Sequence, residues 1–332
     1  MLQISGSAKR LCNGITRRDL LQIGGISALG LGTGARAANA GQGLTDWPFM
    51  GSVVDYLDGR RTEGKPQSMP RNVGLPWRFC SKGSSSDQAG PYPAFLGNNY
   101  DPFWTGFEGK GTVSVPKLNA DSQKEDVWDP HAGIEAMARF QLSDGCQLPQ
   151  ELSAQRFDAR VHLLRQFDAA RPLMDRAAEI GNYSAQQQRA YSLIGSNRIR
   201  EALDVGREPH ALRERYGISL FGQSCLAARR LVEAGARFVS VFWDPFGPHG
   251  ASVWDTHSNH FPRLRNYLLP VFDQSYSALI ADLDDRGLLD ETLVLCTSEH
   301  GRTPKIDSMP TGGGRYHWSR AYSSVFAGGG MA

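Results

Sequence analysis

Residues 237–243 read RFVSVFW and residues 292–297 read TLVLCT, and between them runs a long helical stretch, Phe261 to Arg286, ended by Gly287. Both short runs are apolar and rich in β-branched or aromatic residues, the signature of strands buried on both faces. Glycine just past a periodic segment is a common helix stop, because it adopts the left-handed conformation without penalty. Strand, helix and strand at these lengths predict a βαβ unit, and therefore a parallel sheet covered by helices. A third apolar run, AYSSVFA at 321–327, leads into Gly328-Gly329-Gly330 and predicts a further strand.

Upstream, the helical pattern continues. Residues 151–180, 184–204 and 219–234 read as amphipathic helices, with Leu163, Leu164, Phe167 and Leu173 marking one apolar face. Residues 41–130 are different, rich in Gly, Pro, Ser and aromatic residues with little periodicity. There the pattern predicts one short helix, Trp47 to Leu57, followed by loop-like sequence too long for an ordinary connection. The expected organisation is a single domain over 41–332. A loop-rich covering region occupies 41–147, and a helical and sheet core occupies 148–332.

The first forty residues read as an address. Thr16-Arg17-Arg18-Asp19-Leu20-Leu21 is a twin-arginine pattern, followed by a Gly-rich apolar stretch and by small-residue cleavage candidates at 35–37 and 38–40. Three glycines argue against a first helix, since each costs about 1 kcal/mol in a helix interior. Export to the periplasm or cell envelope by the twin-arginine machinery is the expectation.

Over 332 residues, 36 Lys and Arg face 34 Asp and Glu, a net of +2. Removing residues 1–40 takes away five basic residues and one acid, which leaves 31 against 33 and a net of −2. Such a balance gives no electrostatic footprint for nucleic acid. No run of eighteen apolar residues predicts a membrane span, and 40% hydrophobic residues exclude wholesale disorder. Beyond Cys12, the cysteines at 80, 146, 225 and 296 are widely spaced. They leave room for a disulfide in an oxidising compartment but form no zinc ribbon.

Chemistry-bearing residues gather beside the predicted strands in three clusters: Trp254-Asp255-Thr256-His257-Ser258-Asn259-His260, Ser298-Glu299-His300-Gly301-Arg302-Thr303-Pro304, and Arg315-Tyr316-His317-Trp318. Ligands of open α/β sheets sit outside the carboxyl ends of strands, so the first two clusters are expected to converge. Imidazole and carboxylate donors from separate loops suit zinc or manganese, and such ions stabilise a transferring phosphoryl or sulfuryl group. Arg302 or Lys305 would face the anionic substrate. The plainer reading stays open beside this: Asp255 with Thr256 as a cap for the helix near Phe261, Glu299-His300 as a strand-end ion pair, and only one of His257 and His260 inward. Cys296 in an apolar strand is no nucleophile candidate. No G-x-S-x-G elbow or phosphate loop is present.

The segment from WDTHSNHF at 254 through SEHGRTPKID at 307, then GRYHWSRAYSSVFAGGG at 314–330, resembles the domain of unknown function 1501 family. The twin-arginine start, Trp47 to Leu57 and YPAFLGNNYDPF at 92–103 resemble it too. The resemblance implies an exported relative of sulfatases and alkaline phosphatases. The implied fold is alkaline-phosphatase-like α/β, a mainly parallel central sheet flanked by helices with a metal site at strand ends. The implied metal-facing set is Asp255 with His257 or His260, then Glu299 with His300, then His317. Zinc, manganese or calcium would be the divalent ion. Two positions depart from the family pattern: His300 stands where an aromatic is usual, and Tyr316 stands where an acid usually precedes the His-Trp pair. By the same resemblance a first core strand between Ala40 and Trp47, with its nucleophile, and further elements after Ala332 are expected to be missing. The implied activity is metal-dependent hydrolysis of a small-molecule or polysaccharide phosphate or sulfate ester. The alternatives are a non-catalytic carbohydrate- or partner-binding relative of the cell envelope and an inactive fragment.

Overall fold

The computed structural model describes residues 47–62, 69–78, 81–82, 87–89, 91–116, 126–142, 155–156, 159–160, 162–163, 197–243, 253–298, 301–307 and 312–329. In chain order, helix α1 (Met50–Arg61) precedes strands β1 (Asn72–Leu75), β2 (Ser81–Lys82), β3 (Asp87–Ala89), β4 (Phe103–Glu108), β5 (Ser114–Pro116), β6 (Asp126–Trp128) and β7 (Arg139–Leu142). Helices α2 (Asn197–Leu203), α3 (His210–Tyr216) and α4 (Leu220–Glu233) lead to β8 (Phe238–Val241). Then come α5 (His260–Arg263), a π turn (Leu264–Leu268), α6 (Leu269–Asp285), β9 (Leu293–Cys296), β10 (Gly301–Arg302), β11 (His317–Trp318) and β12 (Val325–Gly328).

The largest sheet has the order β7-β4-β1-β8. Its centre, β1, pairs parallel with both β4 and β8, and β7 closes one side antiparallel to β4. All four residues of β1 are buried. Two glycines make that layering possible. A Cβ on Gly74 would meet the Trp104 ring at 2.4 Å, and one on Gly51 would meet Asn72 Oδ1 at 2.4 Å. Helix α1 therefore lies directly against the sheet. Val73 and Leu75 join Ile199, Leu203, Tyr216, Leu220, Leu226 and Leu231 in the core.

Helix α4 is the axis of the helical layer. Ser219 caps it by accepting from the Gly222 N–H at 3.1 Å, and Gly235 ends it with φ 104°. Helix α6 ends at Gly287 with φ 66°, as its sequence predicts. Pro270, which has no N–H to donate, sits just beyond the π turn, where the Leu269 N–H reaches back five residues to Leu264 O. Between α4 and α6, the fully buried Arg229 side chain meets Glu208 at 2.8 Å, Glu233 at 2.5 Å and Asp282 at 2.8 Å. The Tyr216 hydroxyl donates to Asp282 at 2.9 Å, and Arg286 Nε does so at 2.9 Å.

The mainly parallel sheet and its helices agree with the expected class, but strand assignment differs in two respects. Strands β1, β4 and β7 lie in the stretch expected to be loop-rich. They are short, and Asn72, Gly74 and Gly106 interrupt any apolar run. The expected βαβ pairing of 237–243 with 292–297 is not observed. Strand β8 joins the large sheet, whereas β9 pairs antiparallel with β12, Cys296 opposite Val325. Glycine explains that pairing: the Gly329 N–H donates to Leu289 O and Thr292 O, and a Cβ on Gly328 would lie 2.2 Å from Thr292 O. The amino-terminal address and most of the helices expected over 151–196 lie outside the described residues. Among the described residues, no helix is long and apolar enough to cross a membrane. Cys225 is buried and Cys296 half-buried, both as free thiols.

Candidate functional site

Three loop segments meet beside the amino end of α5. One is 253–259, leading into the helix. The second begins with β10 and the third contains β11. Strands β10 and β11 are antiparallel partners, with Arg302 opposite His317. That register sets the Arg302 and His317 side chains next to the first loop.

Asp255 is the hub. His317 Nε2 lies 2.8 Å from Asp255 Oδ1, Arg302 Nη2 donates to the same oxygen at 2.9 Å, and His257 Nε2 is 3.2 Å away. Asp255, His257 and His317 each offer one ligand atom, and these atoms lie within 4.8 Å of one another. All three residues are exposed to solvent. The two imidazole rings sit 4.8 Å apart.

Arginines fasten the loops through backbone carbonyls. Arg302 donates to Trp254 O and Arg315 O, Arg315 donates to Thr303 O and Arg302 O, and the buried Arg263 donates to Asp255 O, Ser258 O and Val253 O. Gly314 lets the third loop touch the first, since a Cβ there would lie 2.0 Å from His257 O. A rigid backbone thus carries an exposed set of donors.

The electrostatics follow from this crowding. Burial alone would raise the Asp255 carboxyl, but hydrogen bonds from His317 and Arg302 and the charge of His257 hold it below the ordinary carboxylate range. Burial, together with the positive charge of His317, Arg302 and Arg263, lowers His257 despite Asp255. A lowered imidazole is neutral at neutral pH, the form that ligates metal. Burial likewise pulls the Arg263 guanidinium down to about 10.

Of the residues expected at the site, Asp255, His257, His317 and Arg302 come together. His260 does not join them: it is buried, with Nδ1 2.7 Å from Thr256 Oγ1, and its backbone N–H donates to Gly313 O as the first residue of α5. Asp255 does not cap that helix, whose preceding residue is Asn259 at φ 50°. Lys305 is exposed, and its backbone carbonyl accepts from Thr303 Oγ1. Glu299 and His300 lie outside the described residues. Sequence reasoning missed Arg263 and Asp307 and gave no role to Arg315 and Tyr316, because a side chain that bonds a distant carbonyl or hydroxyl leaves no spacing pattern.

A family model described as "Protein of unknown function (DUF1501)" matches residues 28–332. No curated protein matches the chain, and no solved structure does.

Proposed function

We propose, for a chain that belongs to the DUF1501 family of proteins of unknown function, that Asp255, His257 and His317 hold a divalent metal ion and that the protein is a metal-dependent hydrolase of phosphate or sulfate esters. One observation carries this reading: two imidazoles and a carboxylate, drawn from loops about sixty residues apart, present ligand atoms within 4.8 Å of one another. Nitrogen and oxygen donors of this mixture fit zinc or manganese, and the lowered His257 supplies a neutral ring.

A bound ion would supply Lewis-acid stabilisation of charge on the ester oxygens. The chain's own residues do the rest. Arg302 keeps Asp255 ionised and oriented, and adds positive charge where an anionic ester approaches. The arginine-to-carbonyl bonds fix the loop backbones, so the donors need no rearrangement to bind. Glu299 and His300 adjoin β10 in sequence and complete the proposed donor set, with Lys305 as a second contact for the anion. The reading extends to an alkaline-phosphatase-like fold and to export by the twin-arginine route. Export predicts that lysine at Arg17 and Arg18 retains the protein in the cytoplasm on fractionation.

A second reading has its own observation. Asp255 Oδ1 is shared by Arg302 and His317, contacts that tie the loops together and so suit a non-catalytic binder of carbohydrate or protein in the cell envelope. Metal analysis of the purified protein separates the two. Bound zinc or manganese, lost on Asp255→Asn or His317→Ala and accompanied by hydrolysis of aryl phosphate or sulfate esters, supports the hydrolase. A folded protein that takes up no metal rules it out.

A further inference from the structure

Tyr316 is half-exposed, yet it is fixed at three points. Its N–H donates to Thr303 Oγ1 at 3.1 Å, its carbonyl accepts from the Thr303 N–H at 2.8 Å, and its hydroxyl donates to Asp307 Oδ2 at 3.0 Å. Asp307 is itself held, its N–H donating to Gly314 O at 2.9 Å. An exposed tyrosine gains little from burial, so this anchoring calls for another account. The ring supplies one: it lies 5.3 Å from the His257 imidazole, tilted by 38°. The same imidazole lies 4.8 Å from the His317 ring, and its Nε2 is 3.2 Å from Asp255 Oδ1. His257 is exposed and sits on a loop, where a free ring would sample several rotamers.

We propose that Tyr316, anchored by Asp307, is a positioning residue that holds the His257 ring toward Asp255 for metal uptake. The inference rests on the metal-site reading above. Its chemistry is that of a supporting shell: an oriented ligand binds without losing rotamer freedom. Hydrogen-bonded partners of metal ligands typically contribute about 10–100-fold in metal affinity, and a ring contact belongs at the low end of that range.

Zinc titration calorimetry on the purified full chain tests it, with thermal melting run in parallel. Tyr316→Ala should weaken zinc binding by about 10-fold, the low end for supporting residues, with little change in melting temperature. Tyr316→Phe and Asp307→Ala should each weaken it by less, and the double variant should be no weaker than the worse single one. Asp307→Asn, which keeps an acceptor for the hydroxyl, should restore near-wild-type affinity. Wild-type zinc binding with an unchanged Tyr316→Ala overturns the positioning role and leaves the metal site standing. A wild-type protein that binds no zinc overturns both. Equal losses for Asp307→Asn and Asp307→Ala would also reject the hydroxyl anchor.

Discussion

Arg229 and Asp255 each stand at the centre of a polar cluster with several oppositely charged or ionisable partners. One cluster lies inside helix packing and the other lies on loops. Arg229 has a fully buried side chain and three carboxylates around it, from α4, α6 and the turn before α3. Asp255 has nearly half its side chain exposed, and its partners are two imidazoles and one guanidinium. The buried cation has lost its water and is committed to its neighbours, since any change would leave a charge uncompensated in a poor solvent. The exposed carboxylate keeps access to solvent, so an incoming ion can compete for it. The same elementary interaction is thus locked away from water in one place and open to it in the other.

The strongest way to break this contrast is Arg229→Met. It leaves Glu208, Glu233 and Asp282 facing an apolar side chain, and removal of one partner from a buried ion cluster costs about 3–5 kcal/mol. Chemical denaturation should show a loss of that order, and a loss under about 1 kcal/mol, the range of surface pairs, would put the two clusters in one class. Acid titration sharpens the same point. Burial tends to raise Asp282 and Glu208, but the arginines around both, and the Tyr216 hydroxyl at Asp282, hold them below their ordinary range. A carboxyl depressed on folding stabilises the protein above its unfolded value of about 4. That contribution is lost as pH falls through the lower folded values. Stability should therefore decline in acid, and the decline should be shallower in Arg229→Met.

Gly314→Ala tests the loop cluster without removing a donor. Its Cβ would lie 2.0 Å from His257 O, a backbone atom that cannot swing aside. Overpacking of this kind typically costs about 1–3 kcal/mol. Here it also displaces His257, so stability and zinc affinity should fall together when both are measured on the same sample. Loss of stability with zinc affinity intact would show that the loop contact is unrelated to the site.

The two regions also differed in how plainly the sequence announced them. Helices α4 and α6 follow from apolar periodicity, and the end of α6 from the glycine stop at 287, because burial of one helical face dictates that pattern. Strands β8, β9 and β12 follow from their apolar runs. Strands β1, β4 and β7 do not: β1 has four residues, two of them Asn72 and Gly74, chosen for close approach rather than for β propensity. The pairing of β9 with β12 depends on backbone contacts at Gly328 and Gly329, which no periodicity encodes. At the site, Asp255, His257 and His317 were legible as residue types that ligate metal. The choice of His257 over His260 was not, because it depends on where α5 starts and on Thr256 meeting His260. The clasp of Arg263, Arg302 and Arg315 on backbone carbonyls was illegible for the same reason, since every residue offers a carbonyl.

The smallest stability effect belongs to Asp255→Asn, and its smallness is the point. Three close partners suggest a large loss, yet all are at the surface or beside it, and exposed ion pairs contribute about 0–1 kcal/mol each because water and salt screen them. The loops do not depend on this carboxylate for their shape. Arg302 still reaches Trp254 O and Arg315 O, and Arg263 still reaches the carbonyls of Asp255 and Ser258. Asparagine keeps the volume and one acceptor oxygen but removes the charge that a divalent ion requires. Denaturation of Asp255→Asn should thus lie within about 1 kcal/mol of the parent. Its zinc affinity should fall by more than the ~10–100-fold typical of supporting residues. A large stability loss would instead make Asp255 a structural hub like Arg229, with its carboxylate committed to Arg302 and His317 rather than open to a ligand.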